Sequence, residues 1–253
     1  RVLRKDGTVF LNMGDSYASA SSGPIKPKDL VGVPWMLAFA LRADGWYLRS
    51  DIIWSKSNPM PESTQDRPTK AHEYLFLLAK SKSYYYDNDA IAEPLSDVSM
   101  ARYERVVRNE ETYDPARHKH GDSTMHNAPM EILTRAAAGV VALGTRNKRT
   151  VWTIPTQPTP EAHFATFPED LVEPCIRAGC PDDGTVMDPF AGSGTVAVVC
   201  EKLRRRFIGI ELNPAYIEIA ERRIAAVAPL FAGGAADPES VGAVDRVAGR
   251  VTE

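Results

Sequence analysis

Short hydrophobic runs alternate with stretches rich in Pro, Gly and Ser along most of the chain. Continuous apolar runs of about four to eight residues, bounded by turn residues, are typical of buried strands. The pattern predicts strands over 8–12, 46–54, 73–79, 151–154, 185–188 and 207–211.

Helices are predicted between several of these strands. One starts at Lys28 with Asp29 as its N-cap and stops at Asp44, and residues 1–4 are expected to form the last turn of another. A strand–turn–helix–strand–helix succession folds as a right-handed parallel unit, so the predicted fold class is α/β. In the C-terminal part the helices are expected over 168–176, 195–203 and 214–226.

Residues 94–149 lack this regularity. They are polar, with scattered Arg, His and Asn and no clean period, which indicates an insertion or a long loop region. The mixture of small and charged residues at the C-terminal end indicates a peripheral tail. We therefore expect four segments, with boundaries at 1–93, 94–149, 150–226 and 227–253.

Composition narrows the class of protein. With 43% hydrophobic and 25% charged residues over 253 positions, the chain can bury a core, which excludes global disorder. It has no apolar stretch of the ~18 residues that a membrane span needs. The three cysteines form no CxxC or CxxH pair. We therefore expect a cytoplasmic protein with no metal site and no membrane partner.

The charges are distributed unevenly around a formal net charge of −3. Residues 151–253 carry 9 Lys and Arg against 15 Asp and Glu, whereas residues 1–150 carry 21 against 18. This asymmetry is compatible with an acidic half that holds a small cofactor and a mildly basic half that faces phosphates.

The clearest chemistry lies in D-P-F-A-G-S-G-T at 188–195, where a predicted strand ends and a helix begins. Open α/β sheets bind nucleotides at this position. Gly192 and Gly194 let the backbone approach a ligand closely. Neither the third glycine of a dinucleotide fingerprint nor a P-loop motif is present, so the expected ligand is a nucleoside without a pyrophosphate. Glu211, which ends the next strand, is placed to accept hydrogen bonds from ribose hydroxyls.

These motifs resemble a known family. D-P-F-A-G-S-G-T, followed by F-I-G-I-E-L-N-P-A-Y-I-E-I-A at 207–220, looks like the cofactor-binding half of the amino-group DNA methyltransferases, which methylate N4 of cytosine or N6 of adenine. H-F-A-T-F-P-E at 163–169 is similar to the motif that precedes the glycine loop in that family. The resemblance implies S-adenosylmethionine as cofactor and a Rossmann-like methyltransferase fold, with a mixed, mostly parallel sheet and helices on both faces.

The first half carries further matching motifs. Segments 6–17, 51–61 and 67–74 resemble parts of the catalytic region of that family. With the cofactor motif last, the order is that of the permuted β arrangement. The resemblance thus implies that 94–149 is a target recognition region and that double-stranded DNA is the partner. A cognate restriction endonuclease and a homodimer are further expectations.

The resemblance also implies roles for individual residues. Asp188 is expected near the methionine part of the cofactor, with Phe190 against it. Glu211 is expected on the ribose and Asn213 beside the adenine. The expected cofactor-binding set is Thr166, Phe167, Pro168, Asp188, Pro189, Phe190, Gly192, Gly194, Thr195, Glu211 and Asn213. Because basic side chains contact phosphate and Arg can read guanine, the expected DNA-binding set is Arg102, Arg105, Arg146, Lys148 and Arg149.

The catalytic tetrapeptide of the family, (D/N/S)-P-P-(Y/F), does not occur in this sequence, which has no Pro-Pro pair. In the permuted arrangement it is expected upstream of Arg1, so the catalytic residues stay unassigned. Lys56 and Asn58 are candidates for lining the base pocket or contacting backbone phosphate.

Three alternatives stay open. N4 of cytosine is slightly favoured as target, because the flanking motifs resemble members with a Ser-Pro-Pro-Tyr type of tetrapeptide, and N6 of adenine is the alternative. A small-molecule or RNA methyltransferase is disfavoured by the insertion over 94–149 and by the motif order. A non-catalytic chain that binds cofactor or DNA is supported only by the missing tetrapeptide.

Overall fold

The computed structural model describes residues 2–108, 138–157 and 166–231. The chain separates into two compact units, one made of Arg1–Asp87 with Arg149–Glu253 and the other of Asn88–Lys148. In chain order the helices and strands are β1 (Thr8–Met13), α1 (Val33–Ala43), β2 (Tyr47–Ser55), β3 (His72–Ala79), β4 (Glu93–Pro94), α2 (Asp97–Val107), β5 (Thr145–Arg146), β6 (Val151–Thr153), α3 (Glu169–Gly179), β7 (Thr185–Asp188), α4 (Thr195–Lys202), β8 (Arg206–Gly209) and α5 (Pro214–Phe231).

Strands β1, β3, β2 and β6 form a four-stranded sheet in that order. β3 pairs antiparallel with both β1 and β2, with Leu11 opposite Phe76. β6 pairs parallel with β2 and places Trp152 beside Trp54. The α/β fold with a mixed sheet is confirmed. β2 and β3 are joined by a loop without a crossover helix, which is why they run antiparallel.

Helices cover both faces of this sheet. Successive residues of a strand point to opposite faces. Phe76 and Leu78 of β3 pack with Ala38 of α1 on one face. Leu75 packs in a cluster with Leu171 of α3 on the other face. All five side chains are buried, so the sheet is anchored between α1 and α3, as the resemblance implied.

The C-terminal elements form the expected parallel unit. β7 and β8 pair in register from Thr185 opposite Arg206 to Asp188 opposite Gly209. α4 packs against α3 through an apolar cluster that includes Val199. Since both strands run in the same direction, their carboxyl ends meet at one edge, and the loops that follow them lie together.

The second unit contains more regular structure than its polar sequence predicts. α2 is an 11-residue helix whose N-cap, Ser96, accepts a hydrogen bond from the Ser99 N–H. Residues 138–143 are also helical, and β4 pairs antiparallel with β5. α2 has no buried side chain.

The predicted start of α1 is wrong. The helix begins at Val33, after Gly32 with φ of 81°, and not near Asp29. The carboxylate of Asp15 accepts hydrogen bonds from the amides of Gly32 at 2.9 Å and Val33 at 3.1 Å. The cap thus comes from a residue distant in sequence, which local patterns cannot show.

Both ends of the chain also differ from expectation. Residues 2–4 are not helical, which corrects the predicted last helical turn. α5 extends to Phe231, beyond its predicted end at 226, while 232–253 of the predicted tail lie outside the described residues. Within the described ranges, we find no helix of the length and apolar character needed to cross a bilayer.

Candidate functional site

The turn after β7 is a glycine turn pressed against α5. Gly192 and Gly194 have φ values of 53° and 80°, in the left-handed region that glycine adopts at little cost. A Cβ added to Gly194 would lie 2.6 Å from the Cβ of Ala220. The Gly194 N–H also donates to the carbonyl of Ala191 at 2.9 Å. The backbone shape and the close helix therefore both require glycine at position 194.

Asp188, the last residue of β7, sits half-buried at the start of this turn. Its Oδ1 accepts a hydrogen bond from the Phe190 N–H at 2.9 Å. Burial raises the pKa of the Asp188 carboxyl, the Phe190 N–H lowers it, and the nearby Glu211 carboxylate raises it. No ion pair among the described residues involves Asp188 or Glu211. Two carboxylates without a cation between them favour a positively charged ligand.

Glu211 holds the glycine turn through both of its oxygens. Oε2 accepts from the Gly192 N–H and Oε1 from the Asn213 N–H, each at 2.8 Å. An ionised carboxylate offers about four lone-pair sites, so two remain for ligand hydroxyls. The side chain of Asn213 accepts from the Ala215 N–H at 3.1 Å and caps the first turn of α5.

Two large apolar side chains stand in solvent beside these carboxylates. Phe190 is 86% exposed and Leu212 is 94% exposed. Phe190 follows the end of β7, after the exposed Pro189, and Leu212 follows Glu211 directly. Each of these side chains, next to the glycine turn, offers apolar surface to which a planar ring could bind.

The segment Thr166–Phe167–Pro168 lies at the start of α3. Pro168 is buried at the N-cap position of that helix. The ring of Phe167 packs against both apolar clusters that contact α3, so it belongs to the core. Thr195 is buried at the first position of α4. Of the predicted cofactor set, the structure gathers Asp188, Pro189, Phe190, Gly192, Gly194, Thr195, Glu211 and Asn213 around one turn.

A second group of polar residues lies at the carboxyl ends of β1 and β2 and the start of β3. Lys56 Nζ lies 2.5 Å from Glu73 Oε1 and 4.6 Å from the ring centroid of Trp54. Lys70 Nζ donates to the carbonyl of Asp15 at 2.7 Å. Burial lowers the pKa of Lys70. We call the group formed by Asp15, Lys56, Lys70 and Glu73 the strand-end cluster.

Asn58 joins two loops. Its Nδ2 donates to the carbonyl of Thr156 at 3.1 Å, and its Oδ1 accepts from the Thr156 N–H at 2.7 Å. Both ends of the amide are thus used to hold the loop after β2 to the segment after β6. Lys56, by contrast, presents an ammonium fixed by one carboxylate.

A cavity of about 300 Å³ lies between the loops that precede α1 and β3. The guanidinium of Arg67 lies 3.7 Å from the ring centroid of Tyr17 and pairs with Glu62 at 2.6 Å. Sequence reasoning did not single out this stack, because the two residues are fifty positions apart. The cavity is lined by Tyr17, Ala18, Lys28, Thr64, Asp66 and Arg67.

The predicted DNA-binding residues fall into two groups. Arg102 and Arg105 are exposed one turn apart on α2, and Arg149 is exposed before β6. Arg146 and Lys148 are half-buried and pair with Glu93 at 3.5 Å and 3.3 Å. The described parts of the chain hold no cluster of His, Cys, Asp and Glu suited to a metal ion.

Comparison with known proteins identifies the family. A family model described as DNA methylase matches residues 1–222. The type II methyltransferase M.Cfr9I of Citrobacter freundii is 42% identical over 245 residues, covering 88% of this chain and 67% of that protein. The type II methyltransferase M.SmaI of Serratia marcescens is 43% identical, covering 88% and 69%. The chain spans about two thirds of the length of these relatives.

Solved structures share the fold. The PvuII DNA methyltransferase, described as cytosine-N4-specific, matches with a TM-score of 0.58 at 16% identity, covering 92% of this chain and 72% of that chain. A putative DNA modification methylase of Thermus thermophilus, solved with S-adenosyl-L-methionine, matches with a TM-score of 0.55 at 22% identity, covering 90% and 73%. The resemblance drawn from the motifs is confirmed, and the chain belongs to the DNA methylase family.

Proposed function

We propose that this chain carries the cofactor site and part of the DNA site of a methyltransferase that methylates the exocyclic amine of a base in double-stranded DNA, N4 of cytosine in preference to N6 of adenine. S-adenosylmethionine is the methyl donor. The observation that carries the proposal is the glycine turn between Asp188 and Glu211, two carboxylates that no cation of the described residues neutralises.

The residues at this turn fit that cofactor. S-adenosylmethionine carries a sulfonium and an ammonium group, and Asp188 and Glu211 supply the opposite charge. Gly192 has no Cβ, and only the Phe190 carbonyl oxygen, at 3.8 Å, lies near the position that a Cβ would take, so a ligand can lie close to the backbone there. Glu211 retains free lone pairs for ribose hydroxyls. Phe190 is proposed to lie against the methionine part beside Asp188, and Leu212, next to Asn213, offers apolar cover for the adenine.

The chemistry requires orientation more than acid–base strength. S-adenosylmethionine supplies an electrophilic methyl group on a positively charged sulfur. The exocyclic amine is a poor nucleophile, because its lone pair is delocalised into the ring, so the base must leave the helix and be held by its polar edge. Fixing both partners in line contributes much of the rate, since it removes the entropy cost of bringing them together.

Lys56 is our candidate for holding the target base. Its ammonium is fixed by Glu73 and lies over Trp54, so it presents a directed donor whose charge is largely balanced. A balanced charge adds little to phosphate attraction, which favours a hydrogen bond to a base acceptor. Asn58 is proposed to position the loop that carries Lys56, because its amide is bonded to Thr156.

Residues 94–149 remain our proposed target recognition region, between proposed segments 1–93 and 150–226. Arg102, Arg105 and Arg149 are exposed for phosphate or guanine contacts. Arg146 and Lys148 share Glu93, so we expect them to order the base of this region as much as to contact DNA. The same proposal includes a cytoplasmic site of action, a partner restriction endonuclease and a homodimer. It draws on the two relatives, which are type II methyltransferases by name.

The direct test is chemical. The protein is incubated with unmethylated double-stranded DNA and S-adenosylmethionine, the DNA is digested to nucleosides, and methylated bases are identified by mass spectrometry. We expect N4-methylcytosine. N6-methyladenine would overturn the choice of base, and the absence of any methylated base would contradict the proposed activity.

A further inference from the structure

Arg223 of α5 contacts the back of the glycine turn. Its Nη1 lies 2.8 Å from the carbonyl oxygen of Ser193, 3.0 Å from Ser193 Oγ and 3.2 Å from Thr195 Oγ1. Ser193 and Thr195 are only 5% and 6% exposed. The guanidinium therefore supplies donors to buried oxygens that flank Gly194, which would otherwise lack partners from solvent.

The same guanidinium reaches α3. Arg223 Nη2 lies 3.9 Å from Glu169 Oε1, and Lys202 at the end of α4 pairs with Glu169 Oε2 at 2.5 Å. Glu169 is the first residue of α3 and follows the Thr166–Pro168 segment directly. Arg223 and Glu169 thus connect three helices at the point where the glycine turn and the Thr166–Pro168 segment end and α4 and α3 begin.

The contact lies on the face of α5 that already touches the turn. Ala220 and Arg223 are three residues apart and so share one side of the helix. Ala220 excludes a side chain at position 194, and Arg223 holds the residues on either side of it. Glu211 fixes the opposite end of the turn through the Gly192 N–H. The turn is thereby held from both sides, with its open face left to a ligand.

We propose that Arg223, supported by Glu169, is a positioning residue for the cofactor: it holds the glycine turn and the start of α3 in the arrangement that binds S-adenosylmethionine. This inference rests on the proposed function of the turn. Arg223 is not proposed to touch the ligand and acts through Ser193 and Thr195. Its removal should therefore weaken cofactor binding without altering turnover once the site is filled.

The test compares Arg223→Met, Arg223→Lys and Arg222→Met. Arg222 is the exposed neighbour on the same helix and serves as the matched control. Binding of S-adenosylmethionine is measured by titration calorimetry, the folded fraction by thermal unfolding, and KM and kcat on unmethylated DNA by initial rates. Losing charge-assisted bonds to buried oxygens should weaken cofactor binding by about tenfold or more in Arg223→Met.

We expect KM for the cofactor to rise in parallel, with kcat at saturating cofactor within about twofold of wild type, since the chemical step is untouched. Arg223→Lys should keep part of the cofactor affinity that Arg223→Met loses. Arg222→Met should bind the cofactor as tightly as the wild type does. If Arg223 only stabilised the packing of α5, Arg223→Met would lower the melting temperature while the folded fraction bound cofactor normally. That result would overturn the inference.

A second variant, Glu169→Gln, tests the inference even if Arg223→Met fails to fold. Glu169→Gln keeps the bonds between Arg223 and the turn but removes the ion pairs, and we expect a smaller loss of affinity at an unchanged melting temperature. Wild-type affinity in Glu169→Gln together with wild-type affinity in Arg223→Met would refute the connection between the segments. Failure of the wild-type protein to bind S-adenosylmethionine would instead overturn the proposed function on which the inference rests.

Discussion

The glycine turn and the strand-end cluster differ in the sign of their charged groups and in how those groups are paired. At the turn, the carboxylates of Asp188 and Glu211 are bonded only to backbone N–H groups among the described residues. In the cluster, the ammonium of Lys56 is paired with Glu73, and Lys70 donates to a backbone carbonyl. The first site therefore keeps unneutralised negative charge, whereas the second offers cations with fixed directions.

This difference matches the two ligands of a DNA methyltransferase. A small cationic cofactor is held best by carboxylates that have no competing cation. DNA is a polyanion that attracts any basic surface, so base recognition depends on donors whose direction is fixed. A matched set of variants can separate the two sites.

Gly194→Ala should have the largest effect, and only on the turn. The added Cβ would meet Ala220 at 2.6 Å, and alanine at this positive φ is strained. We expect a loss of about 2–4 kcal/mol in unfolding free energy, from the strain and the clash together. Cofactor affinity should fall below detection, as measured by calorimetry.

Gly32→Ala is the matched control for that change. Gly32 has φ of 81° and open space around its Cβ position. Gly32→Ala should lose only the part of the unfolding free energy that comes from backbone strain, about 1–2 kcal/mol. Its cofactor affinity should stay that of the wild type. Equal losses of cofactor affinity in the two variants would mean that the close contact with Ala220 plays no part in binding.

Asp188→Asn should weaken cofactor binding and stabilise the protein. Burial raises the folded-state pKa of Asp188, so the folded state holds its proton more tightly than the unfolded state does. The unfolding free energy contributed by this group therefore falls as pH rises through the raised pKa. Asparagine keeps an oxygen for the Phe190 N–H but carries no charge, so at neutral pH the melting temperature should rise by about 1–3 °C.

The pH dependence of cofactor binding sharpens the same point. A cationic ligand needs the ionised carboxylate, so affinity of the wild type should fall as pH is lowered through the raised pKa of Asp188. The variant should start at a lower affinity and lose this dependence. A wild-type affinity that stays flat as the pH is lowered over the whole acidic range in which the protein remains folded would count against a charge role for Asp188.

Lys56→Met should have a smaller effect, and it should change only the affinity for DNA. Methionine can still lie over Trp54, but Glu73 would lose its partner, so the comparison uses Lys56→Met with Glu73→Gln to avoid an unpaired half-buried carboxylate. We expect DNA affinity to fall about fivefold to tenfold, the range for one lost hydrogen bond. The salt dependence should stay unchanged, since the pair carries no net charge. A slope reduced by about one would instead identify a phosphate contact.

The local features of the fold could be predicted from the sequence. The strands over 73–79 and 185–188 and the helix after Gly194 rest on continuous apolar runs, glycines and caps that act within a few residues. The predicted start of α1 was wrong because its cap, Asp15, lies seventeen residues before Gly32. The antiparallel pairing of β3 depends on the absence of a crossover helix, which periodicity alone does not show.

The sequence identified individual residues of the candidate site but not the side-chain contacts that hold them in place. The motif identified Asp188, Gly194 and Glu211, since each is tied to a strand end or a turn. Arg223 gave no signal, because its contact with Ser193 depends on how α5 is rotated against the turn. Glu73 was also missed, since only the pairing of β2 with β3 brings it beside Lys56.

Measuring the binding of both ligands to the same variants tests most directly whether cofactor and DNA occupy two separate sites. Equilibrium binding of S-adenosylmethionine and of unmethylated double-stranded DNA of mixed sequence is compared for wild type, Asp188→Asn and the Lys56→Met, Glu73→Gln double variant. We expect Asp188→Asn to lose cofactor affinity and keep DNA affinity, and the double variant to do the opposite. Equal losses of both ligands in both variants would contradict the assignment of cofactor and DNA to two separate sites.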